Sequence, residues 1–98
     1  MRRAARIDEN QPFIVRVLRA SGASVAITSA VGKGFPDLVV GYQGKNYLVE
    51  VKDPNALRGK KQAVKLTPDE ADFHRLWRGH VCIVQSLEDA KALLRGEL

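Results

Sequence analysis

The sequence contains one cysteine and two histidines, and that scarcity removes several kinds of chemistry at once. Cys82 has no second cysteine with which to close an intrachain disulfide, and it falls in a segment that reads as a buried strand, which fits a reducing compartment. His74 and His80 stand in no metal-ligand spacing and in no catalytic triad, so zinc held by Cys and His and triad chemistry both drop out. No apolar run approaches the length of a membrane span, and no signal peptide is visible. The expectation is a soluble, cytoplasmic protein. Internal repeats, low-complexity tracts and domain boundaries are missing too, so the 98 residues read as one small domain, 1–98, with an adequate but not generous core.

Acidic residues are also the minority, 11 against 16 Lys and Arg, for a formal charge of +5. Several of those acids are committed to helix caps or to one pair of strands, which leaves the remaining surface more basic than the net figure. Such a surface favours a polyanionic partner, chiefly nucleic acid. The competing reading is an ordinary solvated basic face.

A helix start is written into Asp8-Glu9-Asn10-Gln11-Pro12, which combines capping residues, acids for the helix dipole and an early proline. Phe13, Ile14, Val17 and Leu18 follow at helical spacing, and Gly22 closes the helix after Ser21. On that wheel Asn10 lies in the middle of the apolar face and Glu9 toward its edge. A strand is predicted over 24–28 and a Gly-containing connector over 29–34, before the two strands discussed below. Residues 53–65 form a long polar stretch carrying Arg58, Lys60, Lys61 and Lys65, of a length usual for a functional or disordered loop. Thr67-Pro68-Asp69-Glu70 opens a helix with an N-cap, a first-position proline and a capping box. Phe73, Leu76 and Trp77 supply its apolar stripe, as core or as a dimer contact, and Gly79 ends it. A strand over 81–85 and a helix capped by Ser86-Leu87-Glu88-Asp89, running through Leu94, complete the order α-β-β-β-α-β-α.

The charges that need explaining lie in Gly34-Phe35-Pro36-Asp37-Leu38-Val39-Val40-Gly41 and in Tyr47-Leu48-Val49-Glu50-Val51-Lys52. Both segments read as buried strands, where an ionised side chain is costly unless paired or bound to metal. If Gln43-Gly44 is a two-residue turn, Tyr42 pairs with Lys45 and counting outward sets Asp37 across from Glu50. Asp37, Glu50 and Lys52 then share one sheet face, with Lys52 opposite Phe35. A three-residue loop with a bulge at Gly44 is the competing turn. Like charges directly opposite destabilise a bare sheet, and a divalent cation between them reverses the sign. An exposed face with a cross-strand ion pair is the alternative, and it leaves two facing acids unexplained.

Pro36-Asp37, followed on the next strand by Glu50-Val51-Lys52, resembles the motif of the PD-(D/E)XK nuclease superfamily. The helix before it, the Gly-rich lead-in and Lys65-Leu66-Thr67-Pro68 make the chain look most like the VRR-NUC family, in its short stand-alone phage and prophage form, over nearly the whole length. The resemblance implies a mixed sheet flanked by helices and a nuclease dependent on Mg²⁺ or Mn²⁺. It implies Asp37 and Glu50 as metal ligands, with the Val51 carbonyl as a third, and Lys52 as the catalytic lysine. Many relatives carry an acid on the first helix; here Asn10 holds the inward position beside Gln11, so Asn10 or Glu9 would complete the site. Similar stand-alone proteins imply a homodimer, with elements exchanged between protomers as one form of it, acting on branched DNA such as four-way junctions.

The residue types suit that chemistry. Carboxylate oxygens favour magnesium or manganese, and a lysine can orient or help deprotonate a water and stabilise negative charge on a phosphate. Ser29, where the first strand ends, is a candidate phosphate contact or an ordinary turn serine. Arg58, Lys60, Lys61 and Lys65 are candidate nucleic-acid contacts, as are Arg2, Arg3 and Arg6, with solvated segments as the bland reading. Two functions therefore stand side by side: a metal-dependent, structure-selective endodeoxyribonuclease, and a non-catalytic DNA-binding or assembly module on the same fold, which the missing first-helix acid favours.

Overall fold

The turn at Gln43-Gly44 sets the architecture. In the computed structural model, which describes residues 10–53 and 65–98, both turn residues take positive φ, 51° at Gln43 and 80° at Gly44. That is the two-residue form whose twist matches the strands it joins, and the three-residue loop is not used. Tyr42 accordingly pairs with Lys45, and β2 (Leu38–Tyr42) runs antiparallel to β3 (Lys45–Val51) with Leu38 opposite Val49. On the other side of β2 lies β1 (Ser24–Ile27), also antiparallel, and the Thr28 N–H donates to the Asp37 carbonyl at 2.7 Å just past its end. β4 (Val81–Val84) runs parallel to β3, so the sheet is mixed, in the order β1-β2-β3-β4. With α1 (Gln11–Ala20), α2 (Pro68–Leu76) and α3 (Leu87–Leu94), the described elements follow the order expected from the sequence.

Strand alternation divides the sheet into two chemically different faces. Leu38, Val40, Tyr47, Val49, Val51, Cys82 and Val84 are buried together with Ile14, Val15 and Leu18 of α1 and Ala90 and Leu93 of α3. Each fully buried aliphatic side chain there contributes about 1.5–3 kcal/mol. Val39, Leu48, Val81 and Ile83, on the opposite face, are only half-buried, and it is this face that carries Glu50.

Two helices depart from the sequence expectation. The buried positions of α1 are Gln11, Ile14, Val15 and Leu18, whereas Phe13 is exposed and Val17 half-buried. The reason lies at the N-terminus: the Asn10 side-chain amide donates to the carbonyls of Lys52 (3.0 Å) and Gln85 (3.2 Å), which pins the helix to the ends of β3 and β4. Asn10 is thus the N-cap residue, without a side-chain cap bond, and Gln11 takes the central inward position. Asp8 and Glu9 lie outside the described residues. The capping box of α2 forms as expected, but the helix buries no residue and ends at Leu76; Leu76 and Trp77 are exposed rather than core. Gly79 serves a different purpose from a helix stop, because a Cβ there would come 2.8 Å from the Trp77 indole nitrogen. Phe73 stacks on Trp77 and meets Phe35 edge-on, so α2 is held by aromatic contacts and by its first turn. In α3 the Ser86 hydroxyl caps the Asp89 N–H, as expected. Among the described residues no helix is long and apolar enough to cross a membrane.

Candidate active site

One ladder step beyond Leu38 and Val49 sets Asp37 across from Glu50. The ladder itself stops there for a visible reason. The Pro36 carbonyl accepts from the Thr28 hydroxyl at 2.7 Å, and the Val51 N–H donates to Asp37 Oδ2 at 2.8 Å. Asp37 is therefore held by the backbone of the strand that carries Glu50. Glu50 is buried at 2 % exposure, and its Oε1 has no hydrogen-bond partner. Burial, then the neighbouring Asp37 and Glu70 carboxylates, push Glu50 up to about 9. Burial also raises Asp37, against the Val51 hydrogen bond that lowers it. Left alone, the pair resists carrying two negative charges.

Among the described residues, Lys52 brings positive charge to this pair of acids. Its Nζ lies 3.9 Å from Glu50 Oε2 and 2.8 Å from Glu70 Oε1. The closer partner was not foreseen in the sequence, where Glu70 reads only as the acid of a capping box. It is that acid, for its Oε1 also accepts the Thr67 N–H at 2.9 Å. Burial opposes ionisation of Glu70, but the hydrogen bonds from Lys52 and Thr67 outweigh it and hold the carboxyl below its ordinary value.

The first helix brings amides to the chain just beyond β3, through Asn10 on the Lys52 carbonyl. Because both carbonyls around Asn10 are acceptors, its NH₂ must face them, which leaves Oδ1 as the other end of the group, buried and without a partner. Gln11 donates through Nε2 to the Ser29 hydroxyl at 3.2 Å, and its Oε1 is likewise buried and unpartnered. Ser29 is thereby tied to the first helix. Gln11 carried no role in the sequence reading; its buried position could have been read only from the corrected helix phase.

Lys65 is exposed at the start of the second described segment. Glu9, Arg58, Lys60 and Lys61, and the N-terminal Arg2, Arg3 and Arg6, lie outside the described residues. His80 packs edge-on against Tyr47, while burial lowers the pKa of His74, whose Nε2 is buried without a partner. Burial, then Asp89, pushes the Cys82 thiol up to about 11, which leaves it inert. A cleft of about 280 Å³ runs along a different face of α2, lined by Lys33, Asp69, Asp72, Phe73, Leu76 and Trp77. It contains none of the clustered acids or Lys52.

Among the described residues no group of three His, Cys, Asp or Glu side chains is arranged for a metal ion. Among the described residues, then, a cation at Asp37 and Glu50 would rest on two carboxylates and neutral oxygens. Oxygens of the kind left here suit a hard divalent cation: Glu50 Oε1 is a buried acceptor lacking a partner, and so, on the first helix and its cap, are Gln11 Oε1 and Asn10 Oδ1.

A mixed sheet with an Asp at the entry to one strand, Glu-x-Lys at the exit of the next and a helix on either side in sequence defines a PD-(D/E)XK nuclease-like α/β fold. The chain is similar to a solved structure described as a VRR_NUC domain, at 28 % identity and a TM-score of 0.65, covering 90 % of this chain and 92 % of that one. No family model matches the sequence, and no curated protein matches it.

Proposed function

We propose that this chain, as one domain of residues 1–98, is a nuclease of the VRR-NUC type: a metal-dependent endodeoxyribonuclease that hydrolyses phosphodiester bonds in branched DNA such as four-way junctions. The observation that carries the reading is the facing of Asp37 and Glu50, two acids that burial keeps from ionising together, beside the Lys52 ammonium. Asp37, Glu50 and the Val51 carbonyl would hold Mg²⁺ or Mn²⁺, with the Asn10 amide oxygen, or Glu9, as a further donor. When bound, the ion supplies Lewis-acid polarisation of the phosphate and lowers the pKa of a bound water.

The chain's own residues do the rest. Lys52 orients the attacking water and stabilises negative charge on the phosphate oxygens through its three N–H donors. Asp37, fixed by the Val51 N–H, keeps its carboxylate in register with Glu50. Asn10 ties α1 to the carbonyl of Lys52 and so fixes the backbone at the lysine. Ser29, Arg58, Lys60, Lys61 and Lys65 would contact phosphates along the DNA, giving affinity without base reading.

A domain this small offers a limited DNA footprint, which favours a homodimer, with exchange of an element between protomers as one route to it. The test is sedimentation of the free protein, followed by cleavage of a four-way junction beside a linear duplex of the same arms. A monomer, or equal cutting of both substrates, contradicts the dimer and the branch preference respectively. The first helix offers amides rather than a carboxylate at the inward position, which favours a second reading, a DNA-binding module without catalysis. Salt-sensitive junction binding with no cutting in either metal would establish it.

A further inference from the structure

We infer that Glu70 is the positioning residue for Lys52, so that the first turn of α2 sets where the ammonium of the proposed nuclease site stands. This rests on the nuclease reading above and adds a residue to it.

Three observations carry the inference. Glu70 Oε1 accepts from Lys52 Nζ at 2.8 Å, while Glu50 Oε2 is 3.9 Å away, so the tighter hold on the lysine comes from the helix and not from its own strand. The same Oε1 accepts the Thr67 N–H, and Thr67 Oγ1 accepts the Glu70 N–H at 3.2 Å, which fixes the carboxylate by two local bonds before it meets the lysine. The turn itself is seated against the loop that leads into Asp37: a Cβ on Gly34 would fall on the backbone carbonyl of Asp69, and only glycine permits that approach at φ 81°. Lysine has a long, flexible stem and gains nothing for catalysis unless something holds its end. A preset acceptor on a capped, docked helix is such a hold.

Thr67→Ala separates the two duties of Glu70, because it removes the cap acceptor and leaves the carboxylate on Lys52. Acylation of individual lysines, followed by mass spectrometry at fixed pH, reads the hold on Lys52 directly. Glu70→Ala should raise the Lys52 acylation rate at least fivefold, and Thr67→Ala less than twofold. With junction DNA and Mn²⁺, Glu70→Ala should lower kcat at least tenfold with KM changed less than threefold. Glu70→Gln, which keeps both acceptor bonds, should restore most of kcat; if the alanine variant does not fold, Glu70→Asp, whose shorter stem cannot reach the Thr67 N–H and Lys52 Nζ together, takes its place with the same expected outcomes. Unchanged Lys52 acylation in Glu70→Ala, or in Glu70→Asp where that variant replaces it, overturns the inference, as does an equal loss of kcat in Thr67→Ala at equal loss of Tm. A wild type that cuts nothing in either metal defeats the nuclease reading instead, and the acylation rates still decide whether Glu70 holds Lys52.

Discussion

Asp37 accepts the Val51 N–H through Oδ2 at 2.8 Å, so the carboxylate proposed as a metal ligand also takes up the first backbone N–H past the end of the β2–β3 ladder. The two duties separate by substitution. Asp37→Asn keeps an oxygen acceptor for the Val51 N–H and removes the charge, whereas Asp37→Ala leaves that N–H without its partner. Asp37→Ala should therefore be less stable than Asp37→Asn by about 1–3 kcal/mol in urea unfolding, while both lose cleavage. Equal stability of the two would remove the structural duty.

Much of this site was legible in the sequence because strand geometry is a counting problem. Gln43-Gly44 fixed the register, and the register put Asp37, Glu50 and Lys52 on one face. The helices were less legible. Whether Phe13 or Val15 turns inward depends on the rotation of α1, and that is set by Asn10 bonding to carbonyls 42 and 75 residues away. Glu70 was visible as a cap, but its reach to Lys52 crosses 18 residues of sequence and depends on where α2 docks. Tertiary contacts of that kind leave no local periodicity. The aromatic stripe of α2 failed as a core prediction because the helix buries none of its residues and leaves Leu76 and Trp77 exposed.

The elevated Glu50 fixes the sign of a pH effect. Its folded value, about 9, lies above the ordinary 4.5, so between these limits the native state binds more protons than the unfolded chain. The Glu50 contribution to the stability of the metal-free protein is present below about 4.5 and is lost as pH rises through about 9. In EDTA, Tm should fall over that range more steeply for the wild type than for Glu50→Gln. Parallel pH profiles of the two proteins would contradict the assignment.

Metal should act against the same protonation. A divalent cation competes with the proton for Glu50, so the Tm gained on adding Mn²⁺ should grow as pH rises, and Glu50→Gln should abolish most of it. Differential scanning fluorimetry with and without Mn²⁺ checks this. An equal metal shift in both proteins removes Glu50 from the site.

Gly34 combines φ 81° with a seat against the Asp69 backbone. Gly34→Ala should cost roughly 1–3 kcal/mol from the backbone conformation alone. It should also displace the first turn of α2, read as loss of the Glu70 to Lys52 contact in a crystal structure of the variant. An unperturbed contact and a stability loss below about 0.5 kcal/mol, as at ordinary surface sites, would show that the seat is not needed.

The central claim is that Asp37, Glu50 and Lys52 form a metal-dependent site for phosphodiester hydrolysis. Its most direct test is single-turnover cleavage of end-labelled four-way junction and linear DNA by wild type and Lys52→Ala in Mn²⁺, Mg²⁺ and EDTA. The wild type should cut in at least one metal and not in EDTA, and Lys52→Ala should be slower by roughly 10²–10⁴-fold with junction binding retained. A wild type that cuts nothing in either metal, or a Lys52→Ala variant that cuts equally well, would contradict it.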